Sequence, residues 1–133
     1  MGKSLDEAAS YAKPLFVQLL AECEAQGVPC RIEDVGRDEA TQAQNLAKGV
    51  SWTTNSKHLP QPPEDKSEAI DIVPVEILNL NKKDWDPGNP VWAKIGLIGE
   101  GLGLFWGGRW THINGGKGDP GHFQYIHPKV MTA

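Results

Sequence analysis

Cysteine is scarce in this chain: Cys23 and Cys30 are the only two among 133 residues, and they do not form a C-x-x-C. A disulfide scaffold and a thiolate metal site are therefore not expected, and both thiols should pack reduced as small apolar groups. Basic runs are missing too. No block of five Lys or Arg occurs and the formal net charge is −4, which disfavours nucleic-acid binding and polybasic membrane attachment. No stretch approaches the roughly 20 apolar residues of a membrane span, and Met1 to Glu7 lacks the continuous apolar core of a signal peptide. The expectation is a protein made in the cytoplasm, without export by the usual route and without membrane insertion. There is no internal repeat, and the length suits a single domain, 1–133, with one core.

The punctuation of the chain supplies its elements. Ser4-Leu5-Asp6-Glu7 is a capping-box signature, and Leu15, Leu19, Leu20 and Cys23 form an apolar stripe ending at Gly27. Together they predict a first helix from about Leu5 to Gln26, kinked or restarted at Pro14. Arg31 to Val35 reads as a strand, and Asp38 can cap a second helix through Ala47 that Gly49 ends. Ala69-Ile70-Asp71-Ile72-Val73 alternates as a strand does until Pro74 stops it. Trp85-Asp86-Pro87-Gly88 is a turn. Asn89-Pro90 then opens a third helix with Val91, Ile95, Ile98 and Leu102 on one face, closed by Gly101 and Gly103. Strands near Leu104 to Trp106 and Gly121 to Ile126 complete an α+β fold: a small, mainly antiparallel sheet packed with about three helices.

Two patches carry chemistry. Ser56-Lys57-His58 with Ala69-Ile70-Asp71, and Asp119-Pro120-Gly121-His122-Phe123, supply two imidazoles and one carboxylate. That is the donor set of a catalytic zinc with one position left for water, and hydrolysis is its natural use. Pro and Gly inside Asp119-Pro120-Gly121-His122 favour a type II turn, which would bring Asp119 beside His122. On this reading His122 goes to the metal and Asp119 to proton transfer. Asp71 shares a strand face with Ala69 and Val73, where an unpaired carboxylate is costly and a cation relieves the cost. Singly, each of these residues is ordinary, since a lone His or Asp is usually solvated or hydrogen-bonded. It is their combination with Asp119 that points to a site.

The strings S-K-H and A-I-D, the run Leu104-Phe105-Trp106-Gly107-Gly108-Arg109-Trp110, and D-P-G-H-F-Q at Asp119 to Gln124 resemble the zinc D,D-peptidase family. Its members include vancomycin-resistance D-alanyl-D-alanine dipeptidases and carboxypeptidases, and phage endolysins that cut the L-alanyl-D-glutamate bond of peptidoglycan. The resemblance implies Zn2+ as cofactor, with His58, Asp71 and His122 as its ligands and Asp119 as catalytic base. It also implies that Arg37 binds substrate and stabilises the oxyanion, with Gln44 (or Gln42) and Ser56 nearby. Two features depart from the family. Twelve residues, Leu59 to Ile70, separate the first His from the Asp, an excess that reads as a surface excursion rich in Pro. The base is Asp where many members have Glu, which tilts the comparison toward the endolysin branch.

Of the five tryptophans, Trp106 and Trp110 bracket a glycine turn leading toward Asp119 and are the expected substrate contacts, with most aromatics in core. His112, followed by a glycine-rich segment, is expected at the surface or against substrate, and His127 to be structural. The resulting expectation is a monomeric, endolysin-like zinc peptidase acting on the stem peptide of peptidoglycan, without a separate wall-binding domain. It would reach the wall from the host bacterial cytoplasm through a permeabilised membrane. A D-alanyl-D-alanine carboxypeptidase or dipeptidase is the nearest alternative, and a non-catalytic, zinc-stabilised wall-peptide-binding module a more distant one.

Overall fold

Ala8 and Pro14 decide where the first helix begins. In the computed structural model, which describes residues 4–36, 57, 66–81, 84–111 and 113–127, the segment expected to be one helix is two pieces. The Ser4 side chain accepts from the Asp6 N–H at 3.1 Å and starts a single 3-10 turn, Leu5–Glu7. Ala8 is then extended and bridges Ser67. The Ser67 N–H donates to the Glu7 carbonyl at 3.0 Å and the Ala9 N–H to the Ser67 carbonyl at 2.8 Å. That long-range pairing overrides the capping signal. The helix restarts as α1, Lys13–Ala25, with Pro14 in the first turn, where its missing N–H has no partner to lose. Gly27, at φ 84°, closes it. Its buried stripe is Phe16, Leu19 and Cys23, while Leu15 and Leu20 are only partly covered.

Strand β1 (Cys30–Asp34) follows, then β2 (Ala69–Pro74), which runs directly into a short helix, α2 (Val75–Leu78). The turn at Asp86 is held by the Gly88 N–H donating to the Asp86 carboxylate at 2.8 Å. Helix α3 (Pro90–Gly101) opens as the Asn89-Pro90 pair predicts, with the Asn89 side chain accepting from the Val91 N–H at 3.0 Å. Strands β3 (Phe105–Trp106) and β4 (His122–Gln124) complete a four-stranded sheet in the order β1-β2-β4-β3, antiparallel at every pairing. This is the small antiparallel α+β domain expected. The second helix expected over Asp38 to Ala47 lies outside the described residues. Among those described, no helix is long and apolar enough to cross a membrane.

Alternation along β2 and β4 separates two faces. Ile70, Ile72 and Phe123 are fully buried in the core formed with α1 and α3. Two glycines let α3 settle onto that face: a Cβ at Gly96 would lie 2.3 Å from the Trp106 ring, and one at Gly99 2.4 Å from the Phe123 ring. Asp71, His122 and Gln124 alternate with these residues and take the other face. At the start of β2, the buried Glu68 carboxylate accepts hydrogen bonds from the Tyr11 hydroxyl and from His127 Nε2, the latter at 2.7 Å. The Glu68 N–H donates to the Lys57 carbonyl at 2.9 Å. Lys57, which precedes His58 in the chain, is thus tied to Glu68 at the start of β2, three residues before Asp71.

Candidate metal centre

Register places the first two site residues. Antiparallel pairing of β2 with β4 sets Asp71 directly opposite His122, and such a pair brings two side chains on one face within reach of each other. His122 Nδ1 lies 3.0 Å from Asp71 Oδ1. On the other side of the ring, Nε2 lies 2.8 Å from Gln124 Oε1. Trp110 packs against the imidazole, with ring centroids 4.9 Å apart. His122 is buried and Asp71 partly exposed. Burial is the largest single influence on the imidazole and pushes its pKa down. The hydrogen bond and charge of Asp71, the charge of Asp119 and the hydrogen bond to Gln124 outweigh it and hold the ring above its ordinary value.

Asp119 arrives by a turn, though not the one the sequence suggests. The His122 N–H donates to the Asp119 carbonyl at 3.2 Å, so Asp119 to His122 does form a hydrogen-bonded turn. Gly121, however, is not among the residues of positive φ, which a type II turn requires at that position. The left-handed residue is Gly118, φ 70°, just before Asp119. Gly121 is needed instead for close approach. Its carbonyl accepts from the Ile72 N–H at 2.9 Å, and a Cβ there would lie 2.6 Å from the Ile72 carbonyl oxygen. The turn is braced from beneath by Trp106, whose buried indole N–H donates to the Pro120 carbonyl at 2.8 Å.

Ligand atoms of Asp71, Asp119 and His122 all lie within 4.8 Å of one another. Two carboxylates and an imidazole at that spacing fit a divalent cation, which neutralises charge the strand pairing and the turn force together. Beside them opens a cleft of about 290 Å³, whose lining includes Glu33, Asp71, Trp85, Pro87, Trp92 and Asp119. Glu33, in the lining, sits where the β1 register shifts between Ile32 and Asp34, an irregularity of the kind that can re-aim side chains near sites.

The expected site residues therefore separate into groups. Asp71, Asp119 and His122 converge. Trp110 stands against the His122 ring, and Trp106 is buried under the turn, outside the lining of the cleft. His58, Arg37, Ser56, Gln44 and His112 lie outside the described residues. Sequence reasoning missed Trp85 and Trp92, the aromatic walls of the cleft, and Gln124. Strand alternation from His122 was the available signal for Gln124.

The fold and its cluster define a small α+β domain with a candidate metal-ligand group beside a cleft. The profile of the D-alanyl-D-alanine carboxypeptidase family matches residues 50–125, more than half of the chain, and the chain belongs to this family of peptidoglycan peptidases. Its fold is similar to that of the L-Ala D-Glu endopeptidase ChiX of Serratia marcescens, at 22% identity and TM-score 0.59, over 92% of this chain and 83% of that one. It is also similar to the vancomycin-resistance D,D-pentapeptidase VanY from the VanB-type cassette, solved in complex with Zn(II), at 19% identity and TM-score 0.52 over 90% and 73%. A structure of VanYB with D-alanine-D-alanine gives 18% identity and TM-score 0.53 over 90% and 72%. No curated protein sequence matches the chain.

Proposed function

We propose that this chain is a zinc-dependent endopeptidase that hydrolyses the L-alanyl-D-glutamate bond of peptidoglycan stem peptides, in the manner of an endolysin. The observation that carries the reading is the position of Asp119, gathered with the Asp71–His122 pair within 4.8 Å and lining the adjoining cleft. A structural zinc is normally closed by protein ligands and has no use for an extra carboxylate facing a cleft. Asp71 and His122 are the two described residues assigned to hold the ion, with His58 as the third. When bound, zinc supplies a Lewis acid for the scissile carbonyl and lowers the pKa of a water toward neutrality.

The chain's own residues do the rest. Asp119 takes a proton from the attacking water and passes it to the departing amine, so that water adds across the C–N bond and leaves a carboxylate and an amine. Trp85, Pro87 and Trp92 wall the cleft with apolar surface, which limits water around the peptide. Trp110 fixes the plane of the His122 ring from one face. Arg37 is assigned to the developing oxyanion.

Support for the bond cleaved comes from Asp at the base position and from the likeness to ChiX, an L-Ala D-Glu endopeptidase by name. The family description favours D-alanyl-D-alanine carboxypeptidase as the second reading. Digestion of purified peptidoglycan followed by mass spectrometry separates them. New fragments that begin with D-glutamate are expected; release of free D-alanine with intact L-alanyl-D-glutamate would transfer the assignment to the second reading. Digestion that continues unchanged in excess chelator would rule out both metal-dependent readings.

A further inference from the structure

Gln124 stands on the side of the His122 ring away from Asp71. Its Oε1 lies 2.8 Å from Nε2, while Nδ1 faces Asp71 at 3.0 Å. A carboxamide oxygen has lone pairs and no proton, so it can meet Nε2 only when Nε2 carries the hydrogen. The hydrogen bond made by one ring nitrogen determines what the other can offer. Nδ1 faces the Asp71 carboxylate, which likewise accepts and cannot donate, so a cation seated between Nδ1 and Asp71 takes the place of the Nδ1 hydrogen while the Nε2 hydrogen stays on Gln124. The backbone makes the arrangement repeatable. Gln124 is two residues beyond His122 on the same strand face, and β4 is paired on both sides there, with Ala69 and with Phe105.

We infer that Gln124 is a positioning residue that fixes the tautomer and plane of His122 and so presents Nδ1 to the metal. The inference rests on the metal-site reading given above. Outer partners of this kind typically contribute about ten- to a hundredfold in metal affinity. Gln124 is not among the residues that line the cleft, so its effect belongs to ion binding and only through it to turnover.

The test measures zinc affinity by chelator competition in the parental chain, in Gln124→Leu, and in Gln124→Glu, which restores an acceptor oxygen. Gln124→Leu should bind zinc about ten- to a hundredfold more weakly, with the thermal midpoint of its metal-free form close to parental and affinity largely recovered in Gln124→Glu. Nitrogen-15 NMR of the zinc-loaded parental chain, with the signal assigned by its loss in His122→Gln, should show hydrogen on Nε2 and metal on Nδ1. Parental affinity in Gln124→Leu, or metal on Nε2, would overturn the role of Gln124 while leaving the metal site standing. A parental chain that binds no zinc would overturn the metal-site reading and this inference with it.

Discussion

Asp119 and His122 are three residues apart yet are assigned opposite duties, and paired variants can separate them. Replacing Asp119 by Asn keeps the shape of the side chain and removes its capacity to take a proton. Turnover should fall by at least about 10²–10⁴-fold, the usual worth of a general base, while zinc content stays near one per chain and the melting temperature changes little. Zinc lost together with activity in that variant would make Asp119 a ligand rather than a base. His122→Ala, by contrast, should lose both ion and activity, since it removes the buried nitrogen at the centre of the cluster; elemental analysis of the purified variant checks this. Asp71, Asp119 and His122 were legible in the sequence because a short turn and an alternating strand are local patterns. Trp85 and Trp92 were not, because what makes them walls is that the segment before α3 and the first turn of α3 line one cleft together with β2, and nothing in either tryptophan's neighbours in sequence encodes that.

Glycine spacing decides how α3 meets the sheet. Gly96 and Gly99 face Trp106 and Phe123 so closely that an added methyl group has no room. Gly99→Ala should therefore lower stability by roughly 1–3 kcal/mol, the usual cost of overpacking a core. At Gly101, in the last turn of the same helix, an added methyl group would meet nothing within 4 Å. Gly101→Ala should raise stability by about 0.4–1 kcal/mol through the unfolded chain's lost freedom. Denaturant midpoints of the two variants should move in opposite directions; equal shifts would mean that helix propensity rather than contact governs both. Element boundaries show the same division between local and distant causes. The Asn89-Pro90 start of α3 was readable because a cap is a local hydrogen bond. The break at Ala8 was not, because Ser67, some 59 positions away, supplies its partner. Likewise Pro-Gly in sequence signals a turn, but only the packed chain reveals that Gly121 is there for the Ile72 carbonyl.

At the scale of the molecule, the candidate centre joins parts of the chain that are distant in sequence. Asp71 and His122 are 51 residues apart, on the two central strands of the sheet. An ion held by both exists only when the sheet is formed, so it stabilises the folded state by mass action, about 2.7 kcal/mol at a hundred times the dissociation constant. The fold has supports apart from the ion, however. An apolar core from Ala8 to Phe123 and the Tyr11–Glu68–His127 cluster close the domain without passing through the centre. On this ground the chain is expected to differ from small zinc domains that unfold on losing their metal. Chelation should therefore abolish activity while leaving a cooperative unfolding transition, lowered by roughly 5–10 °C for a stabilisation of that size in a domain of this length. Calorimetry with zinc, with chelator, and with chelator followed by excess zinc should show the shift and its reversal. In Asp71→Asn the zinc-dependent part of the shift should shrink or vanish. Identical melting in zinc and in chelator would show that no ion bridges the two strands, and loss of all structure on chelation would show that the core alone cannot hold the sheet.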